Sequence, residues 1–355
     1  MKKNVYLSVV LTLACIFSMV ACKNNSEETE VFKRGEIALE AITIGDKTFK
    51  KTTEVYVTGS NGITINGAAP RFKDETLNEK EKGVFVEGRT VRISPFIMSK
   101  YEVTQELYEA VMTGNPMNLH ATPFNFKSGA ADGEVQIYRP AEWISWYDAV
   151  YFCNILSEKR GLEKVYTITV PENDGIVSGH IKTATVEMDI TRNGYRLPTA
   201  AEWELAARGG DSNAEAWWYE YSGQALGDDV LYNAKENPYL DEVAWTQDNG
   251  NWKTHEVGIK KANTLGIFDM CGNVYEWCWD WSFSNDDLTN SDSLYMIDGI
   301  VTNPQGPVSG EKKTGRGGGI NNKTGARSFH VLHYANSNAN TTGRNIGFRL
   351  VRTVK

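Results

Sequence analysis

Three stretches of the chain carry apolar residues at helical spacing behind a residue typical of a helix N-terminus. "EVTQELYEAVM" begins with Thr104 as the cap, and "SWYDAVYFCNILSEKRG" begins with Ser145 and ends at Gly161. In "TAAEWELAARGG", Thr199 and Glu202 have the spacing of a capping box, and two glycines follow the apolar run. The pattern therefore predicts three helices of modest length.

Elsewhere the apolar residues alternate with polar ones over short runs. Residues 35–70 contain "EIALEAITIG" and "EVYVTGSNGITING", which are typical of β-strands joined by Gly and Asn-Gly turns. The chain has 32 glycines, ten tryptophans and 11% aromatic residues, a composition that favours a filled core over disorder. We predict a compact α+β fold, rich in loops, with few short helices and strands.

The first residues predict export and a lipid anchor. Residues 1–21 combine a basic start with an apolar segment too short to span a membrane comfortably, which is typical of a signal peptide. "SMVAC" resembles a bacterial lipobox, so we expect cleavage before Cys22 and acylation of that residue, with residues 22–34 as a flexible polar tether. The alternative is a simple cleaved signal followed by an incidental cysteine.

Charge and cysteine content narrow the classes of function. The formal net charge is −8 and becomes −10 when Lys2 and Lys3 leave with the signal, which disfavours a nucleic-acid partner. Three cysteines remain in the mature domain, namely Cys153, Cys271 and Cys278. Their odd number and irregular spacing predict buried free thiols, with a bridge between Cys271 and Cys278 as the lesser alternative.

Five motifs in order resemble the formylglycine-generating-enzyme, or sulfatase-modifying-factor, superfamily. They are "SPFIMSKYEVTQELYEAV", "ISWYDAVYFCNILSEKRGL", "NGYRLPTAAEWELAARGG", "NTLGIFDMCGNVYEWCWDW" and "NIGFRLVR". The resemblance covers about residues 85–353 and implies a variant of the C-type lectin fold for residues 85–355. Residues 35–84 are then a strand-rich N-terminal extension, either part of the same domain or a small separate lobe.

The resemblance also bears on metals. Enzymes of this superfamily hold copper with two thiols, and this chain has Asn322 and Arg327 at the matching positions. Neither is a soft ligand for copper, so we expect no copper and no oxidase activity. The iron-dependent branch needs several histidines, whereas His330 and His333 stand in a segment rich in Asn, Ser and Gly with no carboxylate nearby. We expect no iron.

Calcium is the one metal that the resemblance implies here. In the family, the positions that match Asp269 and Glu276 bind Ca²⁺ through their side chains, and those that match Gly272 and Val274 bind it through their carbonyls. Hard oxygen ligands of this kind suit calcium. The alternative is a hydrogen-bonded turn without an ion, and in either case the role is structural.

The segment from 317 to 345 has a composition unlike the rest of the chain. Asparagine recurs at 321, 322, 336, 338, 340 and 345, without Cys, Asp, Glu, Met, Trp or Gln. The segment resembles the variable region of spirochaete variable lipoproteins, in which a retroelement mutates adenines in Asn codons; every residue from 319 to 345 except Lys323 fits that substitution set. An ordinary Asn-rich loop is the alternative.

Amides and hydroxyls with a few apolar anchors are typical of adaptable binding surfaces. We therefore predict a surface-displayed, non-catalytic lipoprotein at the bacterial outer membrane or cell surface, which binds a protein or glycan outside the cell. An oxidative enzyme and a structural lipoprotein of a surface machine are the alternatives. The predicted ligand-binding residues, most of them on one exposed face, are Ile320, Asn321, Asn322, Thr324, Phe329, His330, Leu332, His333, Tyr334, Asn336, Ser337, Asn338, Asn340, Thr341 and Thr342.

Overall fold

The structure is a computed structural model, and it describes residues 38–64, 83–86, 88–224, 240–282, 290–323 and 334–355. The predicted signal peptide, Cys22 and the tether lie outside the described residues. So does Arg327, the second position that the resemblance matches to a copper ligand. Five of the predicted ligand-binding residues also lie outside the described residues, namely Thr324, Phe329, His330, Leu332 and His333.

All three predicted helices are confirmed, together with their caps. Helix α1 spans Gln105–Met112 behind Thr104, whose side chain accepts a hydrogen bond from the Leu107 N–H. Helix α2 spans Trp146–Lys159 behind a capping box between Ser145 and Asp148. Helix α3 spans Ala200–Ala207 behind the predicted capping box of Thr199 and Glu202. A fourth, single-turn helix, α4, covers Leu240–Val243.

The strands are short and numerous, as the alternation predicted. In chain order the described residues contain β1 (Ala38–Leu39), β2 (Thr43–Ile44), β3 (Lys47–Thr48), β4 (Glu54–Val57), β5 (Ser60–Thr64), β6 (Thr90–Ile93), β7 (Phe96–Glu102), β8 (Tyr166–Thr169), β9 (Ile176–Val177), β10 (His180–Ile181), β11 (Thr185–Met188), β12 (Tyr195–Arg196), β13 (Ala244–Trp245), β14 (Cys271–Gly272), β15 (Tyr275–Trp281), β16 (Met296–Ile297), β17 (Ile300–Thr302), β18 (Lys313–Arg316), β19 (Tyr334–Ser337), β20 (Ile346–Gly347) and β21 (Arg349–Thr353).

Three sheets carry the architecture. A five-stranded sheet has the order β1-β4-β7-β21-β12, and two four-stranded sheets have the orders β19-β18-β15-β20 and β16-β17-β6-β5. The other described strands form two-stranded pairs. Strand β21 follows β20 almost directly, so the C-terminal segment connects the first of these sheets to the second.

The described part of the N-terminal extension belongs to the main sheet. Strand β4 pairs antiparallel with β7, with Val55 opposite Met98, and β1 pairs in turn with β4. Both Val55 and Met98 are buried. Backbone pairing and a shared core make this segment part of the domain, so the alternative of a separate lobe is not what the structure shows.

The core is rich in aromatic side chains, as the composition indicated. Trp146, Trp203 and Trp277 are each at most 2% exposed. The indole N–H of Trp146 donates to the Cys278 carbonyl, and that of Trp277 donates to the Ile144 carbonyl. The indole N–H of Trp203 donates to the Glu276 carboxylate. Satisfied polar atoms allow large amphipathic rings to be buried without a desolvation penalty.

Candidate ligand-binding face

Buried ion pairs hold the strands that carry the polar C-terminal segment. The Arg349 guanidinium of β21 donates to both carboxylate oxygens of Glu276 on β15, at 2.6 Å each. Arg316, at the end of β18, donates to the carboxylate of Glu204 on helix α3 at 3.0 Å. Arg208, which directly follows α3, donates to the same carboxylate at 2.8 Å. All of these side chains are buried. We call these paired arginines and carboxylates the frame of the segment.

The turn after β18 is fixed by its backbone. The Gly272 N–H donates to the Gly317 carbonyl at 2.8 Å, and the Ile320 N–H donates to the Asn273 carbonyl at 3.0 Å. Gly317 has φ +88°, which favours glycine, and a Cβ there would lie 3.1 Å from the Met270 carbonyl oxygen. This turn joins the polar segment to the "DMCGNVYEW" motif.

One predicted ligand-binding residue is corrected by this geometry. The Ile320 side chain is 0% exposed, so it packs in the interior and cannot contact a ligand at the surface. Asn322 is half-buried and has a role in the turn, because its side-chain oxygen accepts the Gly319 N–H at 3.0 Å. Its backbone carbonyl accepts the Gln247 N–H, which brings the loop after β13 to the same place.

Other predicted residues do reach the surface. Asn321, Asn338 and Asn340 are exposed, and Thr341 and Thr342 are half-buried. Strand β19 lies beside β18 with Tyr334 opposite Arg316 and Ser337 opposite Lys313. The described part of the segment therefore places amides and hydroxyls at the edge of the second sheet.

Successive residues of β19 lie on opposite sides of the sheet, which divides two of the predicted residues. On one side the Asn336 amide donates to the Ser282 hydroxyl at 3.2 Å. On the other side Ser337 lines a cavity of about 150 Å³. The remaining lining residues are Tyr275, Trp277, Gly315, Ala335, Asn345 and Ile346.

Two exposed tryptophans, Trp143 and Trp252, flank this segment, and neither was predicted from the sequence. The backbone N–H of Trp143 donates to the Gly343 carbonyl at 3.0 Å. The Arg344 guanidinium lies 5.6 Å from the centre of the Trp252 ring. The two side chains are 37% and 47% exposed. Both backbones have positive φ, +66° and +61°, which is costly for a bulky residue. Their only sequence signal was a tryptophan among loop residues, in "PAEWIS" and "DNGNWK".

We call the set Asn321, Ser337, Asn338, Asn340, Thr341, Thr342, Trp143 and Trp252 the C-terminal face.

Glu276, one of the two side chains predicted to bind calcium, already has partners. It is 0% exposed, and its oxygens accept three hydrogen bonds, two from Arg349 and one from the Trp203 indole at 2.8 Å. Glu276 would have to give up these bonds to hold an ion. Asp269 accepts the Gly258 N–H through Oδ2 at 2.7 Å, and its buried Oδ1 has no hydrogen-bond partner among the described residues. Within the described ranges no three His, Cys, Asp or Glu side chains are grouped to hold a metal.

A third buried carboxylate, that of Glu102, lies near Asp269 and Glu276. Glu102 accepts the Asn273 amide at 2.7 Å and the Val274 N–H at 3.1 Å. Burial raises the pKa of Glu102 well above its usual range, and the nearby Asp269 and Glu276 charges raise it further. Burial likewise raises the pKa of Asp269 to about 6. The buried Arg349 guanidinium lies near all three carboxylates and lowers the pKa of Glu102 and of Asp269 in opposition to burial.

The thiols of the described domain are not arranged for metal or redox chemistry. Cys153, Cys271 and Cys278 are free and buried, so the predicted state is confirmed and the alternative bridge is not formed. Burial raises the pKa of the Cys271 thiol to about 12, which keeps it protonated and unreactive. At Asn322, the position where the family has one copper ligand, an amide forms part of the turn.

Among the residues that the structure describes, no helix has both the length and the apolar character needed to cross a membrane.

Comparison with known proteins identifies the family. The model of the sulfatase-modifying factor enzyme 1-like domain matches residues 47–354. The chain belongs to this family.

Individual relatives carry different names. The chain is 38% identical over 227 residues to a chaperone protein LppX of Paenibacillus barcinonensis, covering 62% of this chain and 71% of the relative. It is 29% identical over 237 residues to the formylglycine-generating enzyme of Thermomonospora curvata, covering 65% and 72%.

Among solved structures, Treponema denticola variable protein 1 superimposes with a TM-score of 0.62 at 29% identity, over 88% of this chain and 98% of that one. PvdO from Pseudomonas aeruginosa superimposes with a TM-score of 0.59 at 18% identity, over 91% and 100%, and shares the fold. These matches confirm the predicted fold class, a loop-rich α+β fold of the formylglycine-generating-enzyme type.

Proposed function

We propose that the chain is a non-catalytic binding module, displayed at a bacterial surface by a lipid on Cys22, and that the C-terminal face binds its ligand. The observation that carries the proposal is the contrast between residues 317–345 and the residues that flank them. The segment has exposed amides at Asn321, Asn338 and Asn340. The flanking arginines, Arg316 and Arg349, are buried in ion pairs with Glu204 and Glu276. The likeness to a spirochaete variable protein over nearly its whole length supports the same function.

The chemistry of the face suits a protein or glycan ligand. Amide and hydroxyl groups supply adaptable hydrogen bonds, and exposed tryptophans supply large rigid contact areas at a low cost in conformational entropy. Trp143 contacts Gly343 through its backbone N–H, and Trp252 lies against Arg344. Gly343 and Arg344 directly follow Thr342 in the chain. The net charge of −8 gives no support to a nucleic-acid ligand.

A stability comparison tests whether the face is separable from the frame. The face variant combines Asn321→Ala, Asn338→Ala, Asn340→Ala and Thr341→Ala. Three of these positions are exposed and Thr341 is half-buried. Since substitutions at exposed positions cost about 0.5 kcal/mol or less each, its melting temperature should stay within a few degrees of the wild type. Unfolding of this variant at ordinary temperature would show that these side chains are structural, and the proposal would fail.

An oxidative enzyme is the alternative function, and the relatives named formylglycine-generating enzyme are the reason to test it. An amide at residue 322 and an arginine at residue 327 give copper no thiolate ligands. The assay is oxidation of a sulfatase-derived cysteine peptide in the presence of copper. The proposal predicts no turnover above the copper-only control, and turnover would contradict it.

A chaperone or assembly role is favoured by one observation, the name of the 38% identical relative. A structural lipoprotein of a surface machine belongs to the same class of function. Such a protein should suppress the aggregation of a heat-denatured test protein, which light scattering measures. Suppression by the wild type and equally by the face variant would favour this candidate over a dedicated ligand-binding face.

We further propose that residues 317–345 are diversified by a retroelement. Asn321, Asn338 and Asn340 are exposed, which is where codon changes cost the fold least. The observation that tests this is the neighbouring DNA. A reverse transcriptase gene and a near-copy of the 3′ end that differs at adenines are expected, and an intact locus with neither would contradict diversification.

A further inference from the structure

The fold brings together two histidines that are 60 positions apart. His120 follows α1 and its loop, and His180 begins β10 in the β9–β10 hairpin. Their ring centres are 5.5 Å apart, with the planes inclined at 64°. Neither residue belongs to the C-terminal face.

His180 is held in one orientation by a buried carboxylate. Its Nδ1 lies 2.6 Å from Oδ2 of Asp148, which is 1% exposed. The other oxygen of Asp148 accepts the Ile181 N–H at 3.0 Å, and the Ser145 cap fixes the backbone of Asp148. In the neutral tautomer that donates Nδ1–H to the carboxylate, Nε2 carries the lone pair of the ring. Metal-binding histidines use the same arrangement, since a carboxylate on one nitrogen orients the other and makes it more basic.

His120 is seated against the same hairpin. Its backbone N–H donates to the Gly179 carbonyl at 3.0 Å. A Cβ at Gly179 would lie 2.5 Å from Cδ2 and 2.7 Å from Nε2 of His120, so only glycine admits the ring, and φ at this position is +72°. The His120 residue is exposed and the His180 side chain is 20% exposed, so solvent reaches both residues.

From this geometry we propose that His120 and His180 form a two-histidine site for a borderline divalent transition ion, with Asp148 as the positioning residue. Two imidazoles on one tetrahedral ion, with metal–nitrogen bonds of ~2.0–2.1 Å, place their ring centres roughly 5–5.5 Å apart. The observed separation matches that distance. Imidazole suits Zn²⁺, Ni²⁺ and Cu²⁺. Because no third protein ligand is placed within the described ranges, water completes the coordination.

Calorimetric titration of the tag-free mature protein with Zn²⁺ tests the site. The wild type should bind one ion saturably, and His120→Ala and His180→Ala should each weaken binding at least tenfold. Lys182→Ala, an exposed residue of the same hairpin, is the matched control and should bind as the wild type does. Wild-type affinity in both histidine variants would overturn the proposal.

Two further variants separate this site from others. Asp148→Asn should weaken binding by about tenfold or more because the orienting carboxylate is lost. The double variant His330→Ala/His333→Ala should leave binding unchanged, whereas loss of binding in that variant alone would place the ion elsewhere and overturn the assignment. Melting temperatures without metal show whether each variant folds. If His180→Ala does not fold, His120→Ala still tests the site, because His120 is exposed.

Discussion

Replacement of Arg349 by methionine tests the buried frame most severely. In the wild type its guanidinium gives two hydrogen bonds to Glu276 and one each to the carbonyls of Ser99 and Phe268, at 3.2 and 2.9 Å. Methionine fills much of the volume but leaves Glu276 charged, 0% exposed and supported by the Trp203 indole alone. Glu102 lies close enough for its pKa to respond to the Glu276 charge, so repulsion adds to the loss.

The expected loss is large. Breaking a buried ion pair on one side costs about 3–5 kcal/mol, because an uncompensated charge stays in the interior. One kcal/mol shifts the melting temperature by roughly 2–4 °C in domains of 150–250 residues, and the larger domain here calls for the lower slope. We therefore expect a fall of roughly 6–10 °C, measured by differential scanning calorimetry.

The matched control is Arg352→Met on the same strand. Arg352 also donates twice to a carboxylate, that of Glu54, at 3.1 and 2.8 Å, but its side chain is 19% exposed. Glu54 is buried, but the partly exposed Arg352 lets water screen this pair more than the Arg349 pair, so the fall in melting temperature should be smaller than for Arg349→Met. Equal melting temperatures of the two variants would refute the account of the frame.

A calcium chelator should leave the melting temperature of the wild type unchanged. A lowered melting temperature would show that calcium stabilises the protein.

Three further predictions concern other parts of the chain. Cys22→Ser should release the protein from membranes, and retention of the variant in the membrane pellet after a high-salt wash would contradict the lipid anchor. Glu142→Gln should stabilise the protein by about 1–3 kcal/mol at pH 8 in urea unfolding, because burial raises the pKa of Glu142 to about 7 from about 4.3–4.5 in the unfolded chain. The folded state then holds the proton more tightly, so wild-type stability falls as pH rises from about 4.5 to 7; an advantage of the variant that is the same at pH 4 and pH 8 would contradict this. Gly317→Ala should cost about 1–3 kcal/mol in urea unfolding because of its positive φ and the nearby Met270 carbonyl, and a wild-type midpoint would show that the turn can shift.

The sequence predicted the features of the fold that depend on local interactions. The caps at Thr104, Ser145 and Thr199 act within three or four residues of themselves, and all three helices begin where those caps stand. The burial of the cysteines also followed from composition and spacing alone.

Features that depend on distant residues were missed or wrong. Within its motif, Glu276 has the chemistry of a calcium ligand. Its partner Arg349 is 73 residues away, so the motif alone could not predict this ion pair. The pairing of His120 with His180 and the position of Trp252 beside Arg344 have the same origin. Ile320 was assigned to the surface from its neighbours, whereas the turn that directs it inward is held by the Asn273 carbonyl.

Binding by the C-terminal face is the central claim, and a printed array of purified glycans and extracellular matrix proteins tests it most directly. The wild-type protein and the face variant, matched in concentration and shown by melting temperature to be folded, are applied in parallel. The account predicts that the wild type binds at least one probe and that the face variant loses that signal by tenfold or more. Equal signals from the two proteins, including none from either, would contradict it.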